Sequence, residues 1–357
     1  MDRALNVVYL CDFDLKKNTG KDRATRQKLS ALRGLVNDLV VVSNPFKSQF
    51  FRILAIFILD IKVSALLLSR RPDVFISRGY SGWFSMLTAK ALSIKTAREI
   101  HADAIEELSL LPYRGVKLRA LGLLAKHAHR MDLSADVRIF NHPDLMEGYR
   151  KRGIIGEQDF FTYNGYAPGE RSYFSRAKAR EKFGLSQDDR IVVFVGAASK
   201  WHGVEYLVEL QREFDQRGEN IKVVVGGGDI TEFDKEGRCI NFTPLGDQGC
   251  AELIRAADFC LLPVKQNRLS PGSPLKLYDY IANERFVFAQ KETNGYSDEV
   301  EKLNIGMPVD FTNPSEASLQ IIDAFRESCW PEDYPNCKAS WADRMAHWVS
   351  GLRSKCQ

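Results

Sequence analysis

Short runs of β-branched and aromatic residues alternate with longer helical patterns along this chain, and the alternation restarts halfway. Because strands separated by helices form βαβ units, the pattern predicts parallel sheets covered by helices. The first set of predicted strands comprises residues 5–10, 38–43, 73–79, 95–102, 136–141 and 159–165. The second set comprises 190–198, 220–228, 238–246, 258–263 and 286–290. The predicted fold class is therefore α/β, with two doubly wound Rossmann-like domains.

The boundary between the two predicted domains falls near residue 165. Gly165, Pro168 and Gly169 interrupt both periodicities there. At 357 residues the chain is long enough for two separate cores. We expect a first domain at 1–165 and a second at 166–338. The tail 339–357 is predicted to form a helix that packs back on the first domain, since apolar residues recur in it at helical spacing. These residues are Trp341, Met345, Trp348 and Leu352.

Lysine and arginine are concentrated in the first half of the chain. Residues 1–170 contain 26 Lys and Arg against 18 Asp and Glu, whereas the whole chain has a formal net charge of +4. The total is too small to indicate nucleic-acid binding. The basic half could face an anionic membrane or an acidic substrate, or it could be an ordinary solvated surface.

The cysteines argue for a reducing compartment. There are seven, an odd number, widely spaced and without a C-x-x-C pair, so neither a disulfide framework nor a structural zinc site is expected. The first residues enter a strand directly and carry no pattern of a secretory signal. We expect a cytoplasmic protein.

The longest apolar run, residues 50–68, leaves two alternatives open. It contains Arg52, Asp60 and Lys62, so it makes a poor membrane span. The favoured alternative is a helix buried against the first sheet. The other is a helix at a membrane interface, bordered by Arg70 and Arg71 and helped by the basic cluster 126–130.

Residues 273–289 predict a ligand site. A buried strand stops at Pro263, a loop follows, and a helix then begins with Lys276 and Asp279 in its first turns. In an open α/β sheet ligands bind beyond the carboxyl ends of the strands, and a helix N-terminus offers unpaired N–H groups to an anion. An ionised carboxylate only accepts hydrogen bonds, so Asp279 suits hydroxyl groups, such as a ribose diol, beside a bound phosphate.

Several segments in one order resemble glycosyltransferase family 4, whose members are retaining enzymes of the GT-B fold. In the second half the similar segments are FVGAASKWHGVEYLVEL (194–210), VVVGGGD (223–229), TPLGDQGCAELIRAADFCLLP (243–263) and SPLKLYDYIA (273–282). In the first half they are NTGKDRATRQKLSAL (18–32), REIHAD (98–103) and YNGY (163–166). The resemblance implies two domains that face each other across a cleft, the second of them binding a nucleotide sugar.

The resemblance also implies which residues hold the donor. It assigns Asp279 to the ribose hydroxyls, as a catalytic-site residue. The implied donor-phosphate contacts are Gly196, Ser273, Leu275 and Lys276. The chain departs from the family pattern at three positions, with Ala197 in place of an Arg, His202 in place of a Lys, and Pro271 in place of the first acid of a Glu pair. Lys200 and His202 are the nearest replacements for the missing cations.

In the first domain the resemblance implies three further site residues. Gly20 precedes a helix and could let its backbone approach the donor phosphate. His101 ends a predicted strand, where the family uses this His near the transferred sugar, and we expect it to be catalytic. Arg78, directly after the strand residues DVFIS (73–77), is a candidate on the acceptor side.

Together these features predict a retaining glycosyltransferase that uses a nucleotide diphosphate sugar. The expected acceptor is a saccharide or a lipid-linked saccharide, in bacterial surface polysaccharide biosynthesis, with possible peripheral contact at the cytoplasmic face of the inner membrane. No metal, other cofactor or nucleic acid is expected. The alternatives are a GT-B nucleotide-sugar 2-epimerase and a catalytically inactive GT-B scaffold subunit, for which the three replaced residues are the argument.

Overall fold

Two six-stranded parallel sheets form the framework of the chain, one in each of two units. The first unit comprises Met1–Gly165 and Trp341–Gln357, and the second comprises Tyr166–Ser340. The predicted doubly wound α/β architecture is confirmed in both. The computed structural model describes residues 4–17, 19–45, 49–109, 115–198, 202–265, 272–293, 295–327 and 334–356.

The sheet of the first unit has the strand order β2-β1-β3-β4-β5-β6. Its strands are β1 (Asn6–Cys11), β2 (Asp38–Ser43), β3 (Val74–Arg78), β4 (Lys95–Ile100), β5 (Val137–Phe140) and β6 (Phe160–Phe161). The helices between them are α1 (Gly20–Arg33), α2 (Gln49–Arg70), α3 (Trp83–Ala91), α4 (Ala104–Ser109), α5 (Gly115–Ser134) and α6 (Pro143–Lys151). The order reverses between β1 and β3, which is where ligands of such sheets bind.

One face of α2 packs on the first sheet, as the burial alternative for residues 50–68 predicts. Ala55, Leu59, Val63 and Leu67 recur every four residues and are buried. They share a core with strand residues and with residues of α3 and α5, so these three helices cover the same side of the sheet. No described helix of the chain is long and apolar enough to span a membrane.

The second unit continues the chain with helices α7 (Arg176–Lys182), α8 (Val204–Gln216), α9 (Asp247–Ala256), α10 (Leu275–Ala282), α11 (Ser297–Lys302) and α12 (Pro314–Glu327). Its strands are β7 (Arg190–Gly196), β8 (Ile221–Gly227), β9 (Ile240–Phe242), β10 (Phe259–Leu262), β11 (Val287–Gln290) and β12 (Gly306–Val309). They lie in the order β12-β11-β10-β7-β8-β9, so this sheet reverses between β7 and β10.

The last helix, α13 (Trp341–Cys356), belongs to the first unit, where it packs against α1. Its predicted apolar face is buried. The indole N–H of Trp341 donates to Gln27 Oε1 of α1 at 3.2 Å. Gly351 lies so close to Phe160 that a Cβ there would come within 2.9 Å of the ring.

Two strands are less than half as long as predicted, and one strand was not predicted. β6 has two residues and β9 has three, and β9 ends just before Thr243-Pro244, where proline has no N–H for the ladder. The unpredicted strand, β12, has four residues at the sheet edge and contains Pro308. Such a short, proline-containing segment carries almost no strand pattern in the sequence.

Candidate functional site

Helix α10 is fixed at the point where the second sheet reverses. β7 and β10 pair only at Val192–Phe259 and Val193–Cys260. Beyond that point the hydroxyl of Tyr280, on α10, accepts from the N–H of Val195 at 3.2 Å and donates to the carbonyl of Leu261 at 3.0 Å. One buried side chain thus satisfies a backbone group of each strand and holds the helix against their carboxyl ends.

Gly196, Lys276 and His202, three of the predicted donor-site residues, lie in contact. Gly196 ends β7 with φ 120°, and a Cβ there would be 2.5 Å from Lys276 Cε. The ammonium of Lys276 lies 2.9 Å from His202 Nε2 and 5.2 Å from the centre of the Phe194 ring. Glycine at position 196 therefore leaves the space through which the lysine of α10 reaches the loop after β7.

The hydrogen bonds fix the roles of Lys276 and His202. His202 Nδ1 lies 2.7 Å from the carbonyl of Ala197 and must donate to it, so Nε2 accepts from the Lys276 ammonium. The N-cap of α8 is Gly203, so His202 does not cap that helix. Burial lowers the pKa of Lys276 to about 8, against the opposite effect of Asp279. The lysine is therefore mostly charged at neutral pH and titrates just above it.

The other donor-site residues predicted from the sequence lie on or just before α10. Leu275 is its first residue, so its N–H group has no acceptor within the helix. Asp279 follows Lys276 by one turn and is half-buried. The Ser273 hydroxyl lies 2.8 Å from the hydroxyl of Tyr278. Lys200 lies outside the described residues.

The hydrogen bonds that hold the Ser273 hydroxyl were not predicted from the sequence. Tyr278 is buried and donates to the carboxylate of Glu299 at 2.6 Å, so its oxygen is left to accept from Ser273. This chain of hydrogen bonds joins the turn before α10 to α11. Tyrosine and glutamate in two amphipathic helices give no sign in the sequence that they meet.

In the first unit, Arg78 and His101 share the carboxylate of Glu99. Glu99 is buried near the end of β4 and forms ion pairs with Lys28 of α1 and with Arg78 at 3.4 Å. It also accepts from the hydroxyl of Tyr9 at 2.6 Å. Burial opposes the charge of Glu99, but Lys28 and Arg78 outweigh it and hold its pKa well below the usual range.

His101 is held as the neutral imidazole. Burial and the nearby Arg78 lower the pKa of His101, and Glu99 only partly offsets them. Its Nε2 faces Glu99 and must donate, which leaves Nδ1 to accept from Asn141 Nδ2 at 3.2 Å. Asn141 Oδ1 is buried and has no hydrogen-bond partner within the described part of the chain. No motif in the sequence indicates this position of Asn141.

A cavity of about 20 Å³ adjoins His101 and Asn141. It is also lined by Asn164 and by Trp348 of α13. That volume is about what one water molecule or one hydroxyl group fills. The cavity thus offers a polar position beside the histidine.

Gly20 and Arg78 both lie at the beginning of helix α1. Gly20 is its first residue, and Arg78 contacts its second turn. Gly20 is the exposed first residue of α1, whose N-cap, Thr19, accepts from the N–H of Asp22. Arg78 ends β3 and donates to Thr25 Oγ1, on the second turn of α1, at 2.9 Å. Lys28 is one turn further along α1, and burial lowers its pKa to about 8 despite Glu99. Two cations therefore accompany one carboxylate at the carboxyl ends of the central strands β3 and β4.

Among the described residues, no group of three or more His, Cys, Asp or Glu side chains is arranged to hold a metal ion. The two polar clusters described above each contain a lysine, Lys276 in the second unit and Lys28 in the first. The expected independence from metal stays a prediction.

Glu99→Gln should destabilise the protein by about 3–5 kcal/mol, because it leaves Lys28 and Arg78 buried without a compensating charge. The matched control is Asp38→Asn, which breaks the exposed ion pair with Arg70 and should cost less than about 1 kcal/mol. Urea unfolding at neutral pH measures both. Equal losses for the two variants would contradict the account of Glu99.

Known proteins resemble this chain in one sequence segment and in overall fold. Residues 175–339, within the second unit, match the family model of glycosyl transferases group 1. No curated protein sequence matches the chain.

Solved structures cover nearly the whole chain. One is sucrose-phosphate synthase from Thermosynechococcus elongatus, with 15% identity, a TM-score of 0.65, and coverage of 99% of this chain and 94% of that one. Another is WaaG, a glycosyltransferase involved in lipopolysaccharide biosynthesis, with 15% identity, a TM-score of 0.63 and coverage of 98% and 95%. A third is Anabaena HepE in complex with UDP and glucose, with 14% identity, a TM-score of 0.60 and coverage of 97% and 95%. The chain therefore has the GT-B fold predicted from its sequence.

Proposed function

We propose that this protein is a glycosyltransferase that moves a sugar from a nucleotide diphosphate donor to a saccharide or lipid-linked saccharide acceptor. The observation that carries the proposal is the half-buried side chain of Lys276, whose ammonium is set beside Gly196 at the reversal point of the second sheet. It lies on the segment that matches the model of glycosyl transferases group 1. A binding site for a diphosphate is the function that this arrangement supports best.

The proposed diphosphate site combines a partial and a full positive charge. The first N–H groups of α10, at Leu275 and Lys276, have no acceptor within the helix, and the helix dipole adds partial positive charge there. The ammonium of Lys276 adds a full charge. During transfer the bond between the anomeric carbon and the diphosphate breaks, and the leaving oxygen gains negative charge. Fixed donors and a partly desolvated cation stabilise that charge without reorganising.

Lys276 supplies a positive charge to the proposed site, although the replaced residues of the loop after β7 do not. Ala197 has no charge, and His202 is engaged with Ala197 O and with Lys276. In the proposed site the cation comes from α10, and His202 acts by positioning it. The proposed site therefore has a full positive charge on Lys276 even though Ala197 and His202 replace the cations of the family pattern.

The proposed role of Asp279 is to accept hydrogen bonds from the ribose hydroxyls. It lies one turn beyond Lys276 on the same helix, and a carboxylate suits a neutral diol beside the phosphates. Ser273 is proposed to contact the donor through its backbone, because its hydroxyl is directed to Tyr278.

In the first unit we propose that Gly20 approaches the donor phosphate and that Arg78 contacts the acceptor. His101 is proposed to contact the transferred sugar through the exposed 27% of its side chain. Both of its ring nitrogens are engaged, so we propose contact with the sugar and not proton transfer as its contribution.

The remaining parts of the proposal rest on the resemblance of the sequence to glycosyltransferase family 4. They are retention of configuration at the anomeric carbon, catalysis without a metal or other cofactor, and action in bacterial surface polysaccharide biosynthesis in the cytoplasm. The involvement of WaaG in lipopolysaccharide biosynthesis is in line with the proposed pathway.

A catalytically inactive subunit is the second candidate, because Ala197 and Pro271 lack the charges of the family pattern. The two candidates differ in an assay for sugar transfer and donor hydrolysis with a panel of nucleotide sugars. Free nucleotide diphosphate together with a transferred or hydrolysed sugar supports the enzyme. Nucleotide binding without turnover of any donor supports the subunit, and an epimerised donor would indicate the epimerase.

Asp279→Ala should weaken binding of a nucleotide diphosphate by about 10- to 100-fold, the loss expected when hydrogen bonds to a charged group are removed. Isothermal titration with UDP, GDP, ADP and TDP measures the effect on whichever nucleotide binds. Asp323→Ala, an exposed acid on α12, is the control and should bind like the wild type. The proposal fails if none of the four nucleotides binds at millimolar concentration, or if the two variants bind alike.

Nucleotide binding should weaken as the pH rises through about 8, because burial lowers the pKa of Lys276 to that value and only its protonated form attracts the phosphates. Above that pH the Kd should rise by up to about tenfold per pH unit. Lys276→Met should bind more weakly and without this dependence, and Lys276→Arg should stay charged across the range. A wild-type Kd that is constant between pH 7 and pH 9 would contradict the role of Lys276.

A further inference from the structure

Helix α2 has a second apolar stripe, opposite the one that packs on the sheet. Phe57, Ile61, Ala65 and Leu68 recur at intervals of four, four and three residues, and all are exposed. At 3.6 residues per turn this stripe lies about 180° around the helix from the buried one. The exposed fractions of its large side chains are 53% for Phe57, 67% for Ile61 and 59% for Leu68. A helix that is apolar on both faces requires a second apolar environment.

The exposed stripe of α2 continues onto α3. The carboxylate of Asp60, buried on α2, accepts from the N–H groups of Phe84 at 2.9 Å and Ser85 at 2.7 Å, in the first turn of α3. This contact fixes the start of α3 beside the stripe. Phe84 is 51% exposed and Leu87, one turn further, is 50% exposed. The apolar surface, defined by Phe57, Ile61, Leu68, Phe84 and Leu87, therefore spans two helices.

The helices that carry and border this apolar surface, α2, α3 and α5, have no exposed acidic residue. The only acidic residues of α2, α3 and α5 are Asp60 and Asp132, and both are buried. Trp83 of α3 contacts His127 of α5, with 5.1 Å between ring centres, so α5 borders the surface. Among the side chains of these helices whose exposure the structure describes, the exposed basic ones are Lys62, Arg70, Lys90, Arg119, Lys126 and Arg130. Of these, Arg70 is paired with Asp38.

We propose that the apolar surface of α2 and α3 docks on an anionic phospholipid bilayer. Phenylalanine, isoleucine and leucine side chains would enter the interfacial region, and the basic side chains around them would meet the lipid phosphates. The basic side chains argue for an anionic bilayer as the partner. Against a partner protein with a purely apolar surface, these charges would make no favourable contact. The inference does not depend on the proposed transfer reaction, although docking would bring the protein to a lipid-linked acceptor.

Co-sedimentation with vesicles tests the proposal. The full chain is mixed with vesicles of phosphatidylcholine alone or of phosphatidylcholine with phosphatidylglycerol, at low and high salt. We expect binding to the anionic vesicles that is about tenfold or more tighter than to the neutral ones and that weakens with salt. Two variants separate the contributions, Ile61→Glu with Leu87→Glu for the apolar surface and Lys62→Glu with Lys126→Glu for the charge.

Each double variant should lose about tenfold or more in vesicle affinity. Leu319→Glu is the matched control, since Leu319 is a 46% exposed leucine of the second unit, and it should bind like the wild type. Circular dichroism and nucleotide titration should be unchanged in all variants, which separates lost docking from lost folding or lost nucleotide binding. The proposal is overturned if the wild type stays in the supernatant, or if the control loses as much vesicle affinity as the double variants. It is also overturned if the wild type binds no vesicles but forms a dimer that the double variant Ile61→Glu with Leu87→Glu dissociates.

Discussion

The hydroxyl of Tyr280 is the contact on which the second unit's site depends. β7 and β10 pair only at Val192–Phe259 and Val193–Cys260, so the N–H of Val195 and the carbonyl of Leu261 lie beyond the paired stretch. Tyr280 bonds to both, and leaving either group unpaired would cost about 1–3 kcal/mol. The requirement to satisfy buried backbone groups thus fixes the position of α10. With it the ammonium of Lys276 is fixed above Gly196.

In the first unit the main constraint is the burial of several charged groups at the carboxyl ends of the central strands. Lys28 and Arg78 are stabilised by one carboxylate, Glu99, and His101 is kept neutral by the same cluster. Both units therefore contain a lysine whose pKa is lowered by desolvation, Lys28 in the first and Lys276 in the second. In the second unit the neighbours of the lysine are a neutral histidine and a carboxylate one turn away, so more of its charge is available to an anion. This contrast is why we base the proposed phosphate site on Lys276.

The sequence is sufficient to predict the buried strands and the start of helix α10. It is not sufficient to predict contacts between distant segments. Runs such as RIVVFVG (190–196) predict their strands because several consecutive side chains must be apolar on both faces. β12 escapes prediction because its four residues include a glycine and a proline. Lys276 was expected to contact phosphate, but its reach to His202 depends on Gly196 lacking a side chain. Asn141 Nδ2 donates to His101 because of the tautomer of that histidine, and this leaves Asn141 Oδ1 without a partner among the described residues. No local sequence pattern encodes that tautomer.

The central claim is that α10 and Lys276 form a diphosphate site, and a crystal structure with bound nucleotide diphosphate tests it most directly. The account predicts a terminal phosphate within about 3 Å of Lys276 Nζ and of the first N–H groups of α10, with the ribose hydroxyls on Asp279. A nucleotide bound elsewhere, with Lys276 still directed only to His202, would contradict it.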